Sequence, residues 1–177
     1  MIFTPTRLPG VYLVDLEPRE DERGFFARAW CQREAAGQGI HTHWVQANLS
    51  YNHQRGTLRG LHYQTAPQAE GKLVRCTRGA VYDVVVDLRR ESPTFLEHVA
   101  VTLSAENYRA VYIPPADLAH GFLTLADQSE VFYLMSAFYA AEHAAGVRWD
   151  DPAFGIAWPE PVRVISERDA AYADFAR

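Results

Sequence analysis

The sequence predicts a mainly β chain closed into a sandwich or barrel, with a short helical tail. Three observations carry this. Short runs rich in β-branched and aromatic residues follow one another at roughly 8–12-residue spacing, as in sheets packed on sheets. Turn-forming stretches separate them: Arg78-Gly79, Ser92-Pro93, Ser104-Ala105-Glu106-Asn107 and Pro114-Pro115. Only Ser166–Phe175 reads as a clear helix.

The elements follow in order. Val11–Asp15 reads as a first strand, Pro18–Gly24 as a charged turn and Phe25–Trp30 as a strand. Gln32–Gly37 reads as one helical turn ended by glycine, and His43–Tyr51 as a strand. Strands are then expected at Leu58–Gln64, Lys72–Thr77, Ala80–Leu88, His98–Leu103, Ala110–Ile113, Gly121–Thr124 and Val131–Tyr139. Within Ala80–Leu88 the alternation is imperfect, with Asp83 and Asp87 on one face and Tyr82, Val84 and Val86 on the other. No repeat, low-complexity tract or linker divides the chain, so residues 1–177 are expected to form one domain.

Composition narrows the function. Hydrophobic residues make up 48%, close to the globular average, and no apolar run approaches the roughly 20 residues of a membrane span. Cys31 and Cys76 have neither metal nor disulfide spacing, and Met1–Thr6 lacks the build of a signal peptide. A cytoplasmic protein with no membrane partner is therefore expected. The formal net charge of −5 argues against nucleic-acid binding but leaves room for a small anion held by local arginines.

The stretch Arg59-Gly60-Leu61-His62-Tyr63-Gln64 carries the most chemistry. His62 is either a structural hydrogen-bonding group or a base, and a base needs a carboxylate to orient its ring. Strict alternation puts Arg59 and His62 on opposite faces, so a shared pocket requires a bulge, which Gly60 permits. Lys72 is the only lysine, against sixteen arginines, and a lysine can act as a compact point charge on an oxygen. Asp169 fits a capping box, with Ser166 as N-cap and the carboxylate folding back to it. Tyr133 reads as a half-buried core aromatic or, facing a polar cavity, as a proton donor. Arg23 with Phe25 is a solvated turn or a phosphate clamp with a stacking ring beside it. Gln46 and Asn48 share one strand face and could read a pyrimidine edge, while His120 stands at a loop-to-strand entry. No metal is expected: His41-Thr42-His43 has no matching carboxylate and His62-Tyr63-Gln64 no second histidine.

The order of these pieces is more specific than any one of them. Asp21-Glu22-Arg23-Gly24-Phe25-Phe26, Val45–Asn48, Leu58–Gln64, Gly71–Cys76, Ser92–Phe95, Leu103–Asn107, His120-Gly121-Phe122, Trp149-Asp150-Asp151 and Ile156–Pro159 stand in sequence. From roughly Val11 to Ala170 the chain resembles the dTDP-4-dehydrorhamnose 3,5-epimerase family. The resemblance implies a cupin-like jelly-roll β-sandwich with short C-terminal helices and no cofactor. It implies a homodimer with exchanged N-terminal strands, Arg23 and Phe25 reaching the neighbour's site, and a nucleoside-diphosphate 4-keto-6-deoxyhexose as substrate. By the same resemblance His62 is the base, Asp169 its partner, Lys72 the cation at the developing oxyanion and Tyr133 the acid opposite. Arg59 and Arg23 hold the diphosphate, Phe25, Gln46 and Asn48 lie near the nucleobase, and His120 lines the sugar pocket. Two departures leave alternatives open. Arg28 stands where many members carry Glu, which opens the choice of pyrimidine, a CDP-sugar included. Tyr133–Tyr139 has Leu134 and Phe138 where the familiar pattern has Lys and Tyr, which opens 3-epimerisation alone, although strand parity turns both away from Tyr133. The rivals are a silent sugar-nucleotide binding module and a metal-dependent cupin.

Overall fold

The computed structural model describes residues 1–176. In chain order its elements are β1 (Ile2–Pro5), β2 (Tyr12–Asp15), β3 (Arg19–Asp21), β4 (Gly24–Phe26), α1 (Gln32–Ala36), β5 (Gln46–Asn52), β6 (Leu58–Gln64), β7 (Lys72–Arg78), β8 (Ala80–Asp87), β9 (His98–Ser104), β10 (Ala110–Ile113), β11 (Leu118–Thr124), β12 (Ser129–Met135), β13 (Ala144–Gly146) and α2 (Glu167–Ala170). A six-stranded sheet runs β1-β2-β10-β7-β12-β5, a five-stranded sheet runs β13-β6-β11-β8-β9, and β3-β4 forms a separate hairpin. From β5 to β12 the chain crosses between the sheets at every step except the β8–β9 hairpin. That path leaves β5-β12-β7-β10 facing β6-β11-β8-β9, which is a jelly roll.

The core is where the two inner faces meet. Val74, Cys76, Val111 and Val131 from one sheet pack on Val81, Val85, Leu103, Leu118 and Phe122 from the other. Each such side chain contributes roughly 1.5–3 kcal/mol by leaving water. The outer face of the five-stranded sheet is covered too. Val84 and Val86 lie under Val147, Phe154, Ile156, Trp158 and Phe175 from the C-terminal stretch. Burial on both faces is why Ala80–Leu88 alternates imperfectly. Leu73, Ala110 and Tyr112 on the outer face of the six-stranded sheet pack with Ile40, Trp30 and Trp44. On that same sheet the cross-strand partners Leu49 and Phe132 stay exposed.

Four expectations are corrected. Phe25–Trp30 is not a strand: Arg19–Asp21 of the charged run pairs with Gly24–Phe26 in a hairpin of two three-residue strands, and residues 27–31 leave the sheet. The strand at Val131 ends at Met135, because the Ser136 hydroxyl accepts the Gly71 N–H while the Ser136 N–H donates to the Gly71 carbonyl, closing the ladder. The parity argument therefore holds for Leu134, which packs with Trp30 and Trp44, but not for Phe138, which lies beyond the strand. His120 sits inside β11 rather than at its entry. The C-terminal helix stops at Ala170, although Ala171, Ala173 and Ala176 favour its continuation. A short isolated helix is marginal, and Phe175 gains more by packing on Phe154 and Phe95 while its N–H donates to Asp151 Oδ2 at 2.5 Å.

Candidate active site

Between the sheets lies a cavity of about 890 Å³. Its two walls come from different sheets. Arg59 and His62 (β6) and His120 (β11) face Gln46 and Asn48 (β5), Lys72 (β7) and Tyr133 (β12), with α2 supplying Arg168 and Asp169 at the rim.

The expected bulge is what puts Arg59 and His62 on one wall. The β6–β11 register shifts between His120↔His62 and Phe122↔Arg59. Gly60 sits there at φ +132°, and a Cβ on it would lie 2.5 Å from the Gly121 Cα. Glycine is thus required twice, for its dihedral and for the close approach of two backbones.

The bulge also turns the Gly60 N–H toward α2, where Asp169 Oδ2 accepts it at 3.1 Å. The other Asp169 oxygen lies 2.7 Å from His62 Nε2, which leaves the Nδ1 edge of the ring for the cavity. The capping box is therefore half made. Ser166 Oγ accepts the Asp169 N–H at 3.1 Å, but the carboxylate turns to the imidazole instead of folding back. Burial disfavours the charge on Asp169, yet the His62 hydrogen bond and charge and the Gly60 N–H outweigh it and hold the carboxyl below its usual range. His120 repeats the pattern, its Nε2 2.8 Å from Oδ2 of the fully buried Asp83.

On the facing wall Lys72 pairs with the buried Glu70 at 2.6 Å. Burial raises the Tyr133 phenol above its ordinary value, with the positive charge of Arg59 opposing and Glu70 adding. Gln46 Nε2 donates to Asn48 Oδ1 at 2.9 Å, so the two amides do share a face. Arg59 is fixed by its Nε donating to Asn52 Oδ1 at 2.7 Å. Eight of the ten expected residues thus gather in or around this one cavity. Arg23 and Phe25 do not. Arg23 is 85% exposed and bonds its own hairpin through Asp21, and Phe25 packs on Tyr108 with ring centroids 4.9 Å apart. Arg28 pairs with Glu34, outside the cavity lining. Among the described residues no three His, Cys, Asp or Glu side chains converge as metal ligands would.

Two buried carboxylates that back cavity residues, Glu70 and Asp83, received no site role from the sequence. The facing of Asp83 was legible from β8 parity, but its partner lies 37 residues away on β11. Glu70 precedes its strand by two residues, where no periodicity orients it.

A sequence model described as dTDP-4-dehydrorhamnose 3,5-epimerase matches residues 5–177. The chain belongs to the dTDP-4-dehydrorhamnose 3,5-epimerase family. Among members of the family, the Sinorhizobium fredii epimerase is 43% identical over 176 residues, covering 97% of this chain and 88% of its own. The Pseudomonas aeruginosa epimerase is 45% identical over 180 residues, covering 99% and 97%. Among solved structures, the Bacillus anthracis epimerase with TDP and PPi bound superposes at TM-score 0.94 and 36% identity, covering 98% of this chain and 99% of that one. The Legionella pneumophila epimerase in complex with dTDP-4-keto-L-rhamnose gives 0.89 at 38%, covering 97% and 90%. A 3'-monoepimerase from Streptomyces bikiniensis with dTDP-quinovose gives 0.87 at 35%, covering 96% and 86%.

Proposed function

We propose that this protein is an isomerase inverting C3 and C5 of dTDP-4-dehydro-6-deoxy-D-glucose to give dTDP-4-dehydro-L-rhamnose. One observation carries the reading: an imidazole backed by a carboxylate on one sheet faces a phenol and an ammonium on the other, across one cavity. A 4-keto group acidifies the protons on C3 and C5. Epimerisation removes one of them from one face of the ring and returns a proton to the other, so its base and acid must stand on opposite sides. His62 is the base, with Asp169 fixing the ring and stabilising the imidazolium that forms. Tyr133 returns the proton from the facing sheet. Lys72 meets the charge growing on the keto oxygen. A positioned base contributes about 10²–10⁴ in rate, and one such electrostatic contact about 10²–10³. Arg59 holds the diphosphate, Gln46 and Asn48 lie toward the base, and His120 lines the sugar end.

Arg23 and Phe25 act in this reading from a second copy of the chain. The hairpin β3–β4, separate from both large sheets and with Phe26 72% exposed, and the exposed Leu49–Phe132 pair support a homodimer that exchanges N-terminal strands. The whole chain, 1–177, is read as one jelly-roll domain. The two unpaired cysteines and a nucleotide-sugar substrate support a cytoplasmic setting. No helix among the described residues is long and apolar enough to cross a membrane.

The test is incubation with dTDP- and CDP-4-keto-6-deoxyglucose in D₂O, locating the label. Deuterium at C3 and C5 of the dTDP sugar is expected. Label at C3 alone would make this a 3-epimerase, an alternative kept open by the match to a 3'-monoepimerase. Preference for the CDP sugar would move the specificity, and no label in either would reject the reading.

A further inference from the structure

Lys72 is the only lysine in the chain, and its side chain is 9% exposed. An ammonium has three N–H bonds to place. One points to Glu70 Oε1 at 2.6 Å and another to the His62 carbonyl oxygen at 3.3 Å. The third is left for the cavity that both side chains line. Glu70 is the more buried partner at 4%, and it is not free to follow the lysine. Its second oxygen accepts the Gln64 N–H at 2.9 Å. Gln64 is itself locked, its side chain donating to the Gln68 and Phe138 carbonyls and accepting the Ala140 N–H. A carboxylate anchored to the β6 backbone therefore holds one corner of the ammonium, and a carbonyl of the same strand holds another.

We propose that Glu70 is a positioning residue for the epimerisation: it fixes the Lys72 ammonium so that one N–H points at the oxygen where enolate charge develops. This rests on the epimerase reading above. A donor already aimed before charge develops needs no reorganisation, which is where electrostatic catalysis gains most. Loss of the carboxylate leaves a buried cation without its partner, and such a group turns toward water or gives up its proton. Either way the oxygen loses its donor, while the diphosphate contacts stay as they were. The effect belongs in kcat, not in KM.

The single lysine makes the test direct. Protein grown with [15N]lysine gives one side-chain ammonium signal, read on the free enzyme. In the native protein it should exchange its protons slowly with water. In Glu70→Gln exchange should be at least about ten-fold faster, as expected once an anchoring charge-assisted bond is gone. Deuterium wash-in should fall about ten-fold in kcat with KM within about three-fold. Glu70→Asp, which keeps the charge, should restore the slow signal and part of the rate. A native signal already in fast exchange, or one unchanged in Glu70→Gln, would overturn the proposal. So would kcat, KM and melting temperature falling together in both variants, since that is what a purely structural carboxylate would give. The nitrogen signal is read without substrate. A native protein with a held ammonium that turns over no sugar nucleotide would therefore sink the epimerase reading and, with it, the catalytic role given to Glu70.

Discussion

The two walls of the cavity are built by opposite rules. On the five-stranded sheet each imidazole that lines the cavity is backed by a carboxylate that sits deeper than itself, Asp169 behind His62 and Asp83 behind His120. The His62 side chain is 43% exposed, so this wall offers its titratable ring to the cavity. On the six-stranded sheet the cation itself is buried and tied from the side, and burial pushes the phenol beside it above its ordinary value. In the proposed reaction one wall accepts a proton and the other delivers one. A single ring bound between them can lose a proton on one face and regain it on the other.

That contrast can be broken one wall at a time. The largest effect is expected for His62→Ala, which should abolish deuterium wash-in at every carbon, a loss of at least about 10³. Residual exchange within ten-fold of native would give the base role to another group. Tyr133→Phe comes next. Net epimerisation should fall about 10², while exchange falls less, because a proton can leave and return on the face of the base. Equal losses in both measurements would contradict a division of labour between the walls.

Asp169→Asn should lower exchange about ten- to a hundred-fold by losing the charge that steadies His62. It also carries a pH signature. The Asp169 carboxyl titrates lower in the fold than in the unfolded chain, so its ionised form stabilises the protein above about pH 4. That contribution is lost as pH falls through the depressed folded value. Melting temperature followed from pH 7 to pH 2 should therefore drop more steeply for the native protein than for Asp169→Asn, and parallel curves would show that the pair contributes nothing. The smallest effect on chemistry is expected for Arg59→Ala, which should raise KM about ten-fold and leave kcat within about three-fold, since a diphosphate clamp binds ground and transition states alike. A collapsed kcat at constant KM would place Arg59 in the chemistry instead.

Much of the five-stranded wall could be read from the sequence. Gly60 between Arg59 and His62 permitted the bulge that a shared pocket requires, because alternation alone would have split the pair. Asp169 was visible but ambiguous, since Ser166 three residues earlier explains it equally well as a cap. Only the fold shows the cap satisfied by the main-chain N–H and the carboxylate spent elsewhere. The other wall was harder. Lys72 stood out by being alone of its kind, but Glu70 precedes the strand, and nothing in a period of two says where it points. The hairpin at Arg19–Phe26 was hidden for a related reason: three-residue strands are too short to show any period, and their charged residues read as a turn. The early end of α2 was hidden because Phe175 is drawn to aromatic partners far back in the chain, at Phe95 and Phe154.

The bond between His62 and Asp169 spans 107 residues of chain. During synthesis the sandwich strands β5 to β12 are all made before α2 leaves the ribosome. A nascent or clipped chain could close its two sheets and still hold an unaimed imidazole, because the group that aims it has not arrived. Turnover would then report on completed molecules alone. Deuterium exchange measured against refolding time should lag behind recovery of the β-sheet signal, with the delay set by the docking of a four-residue helix.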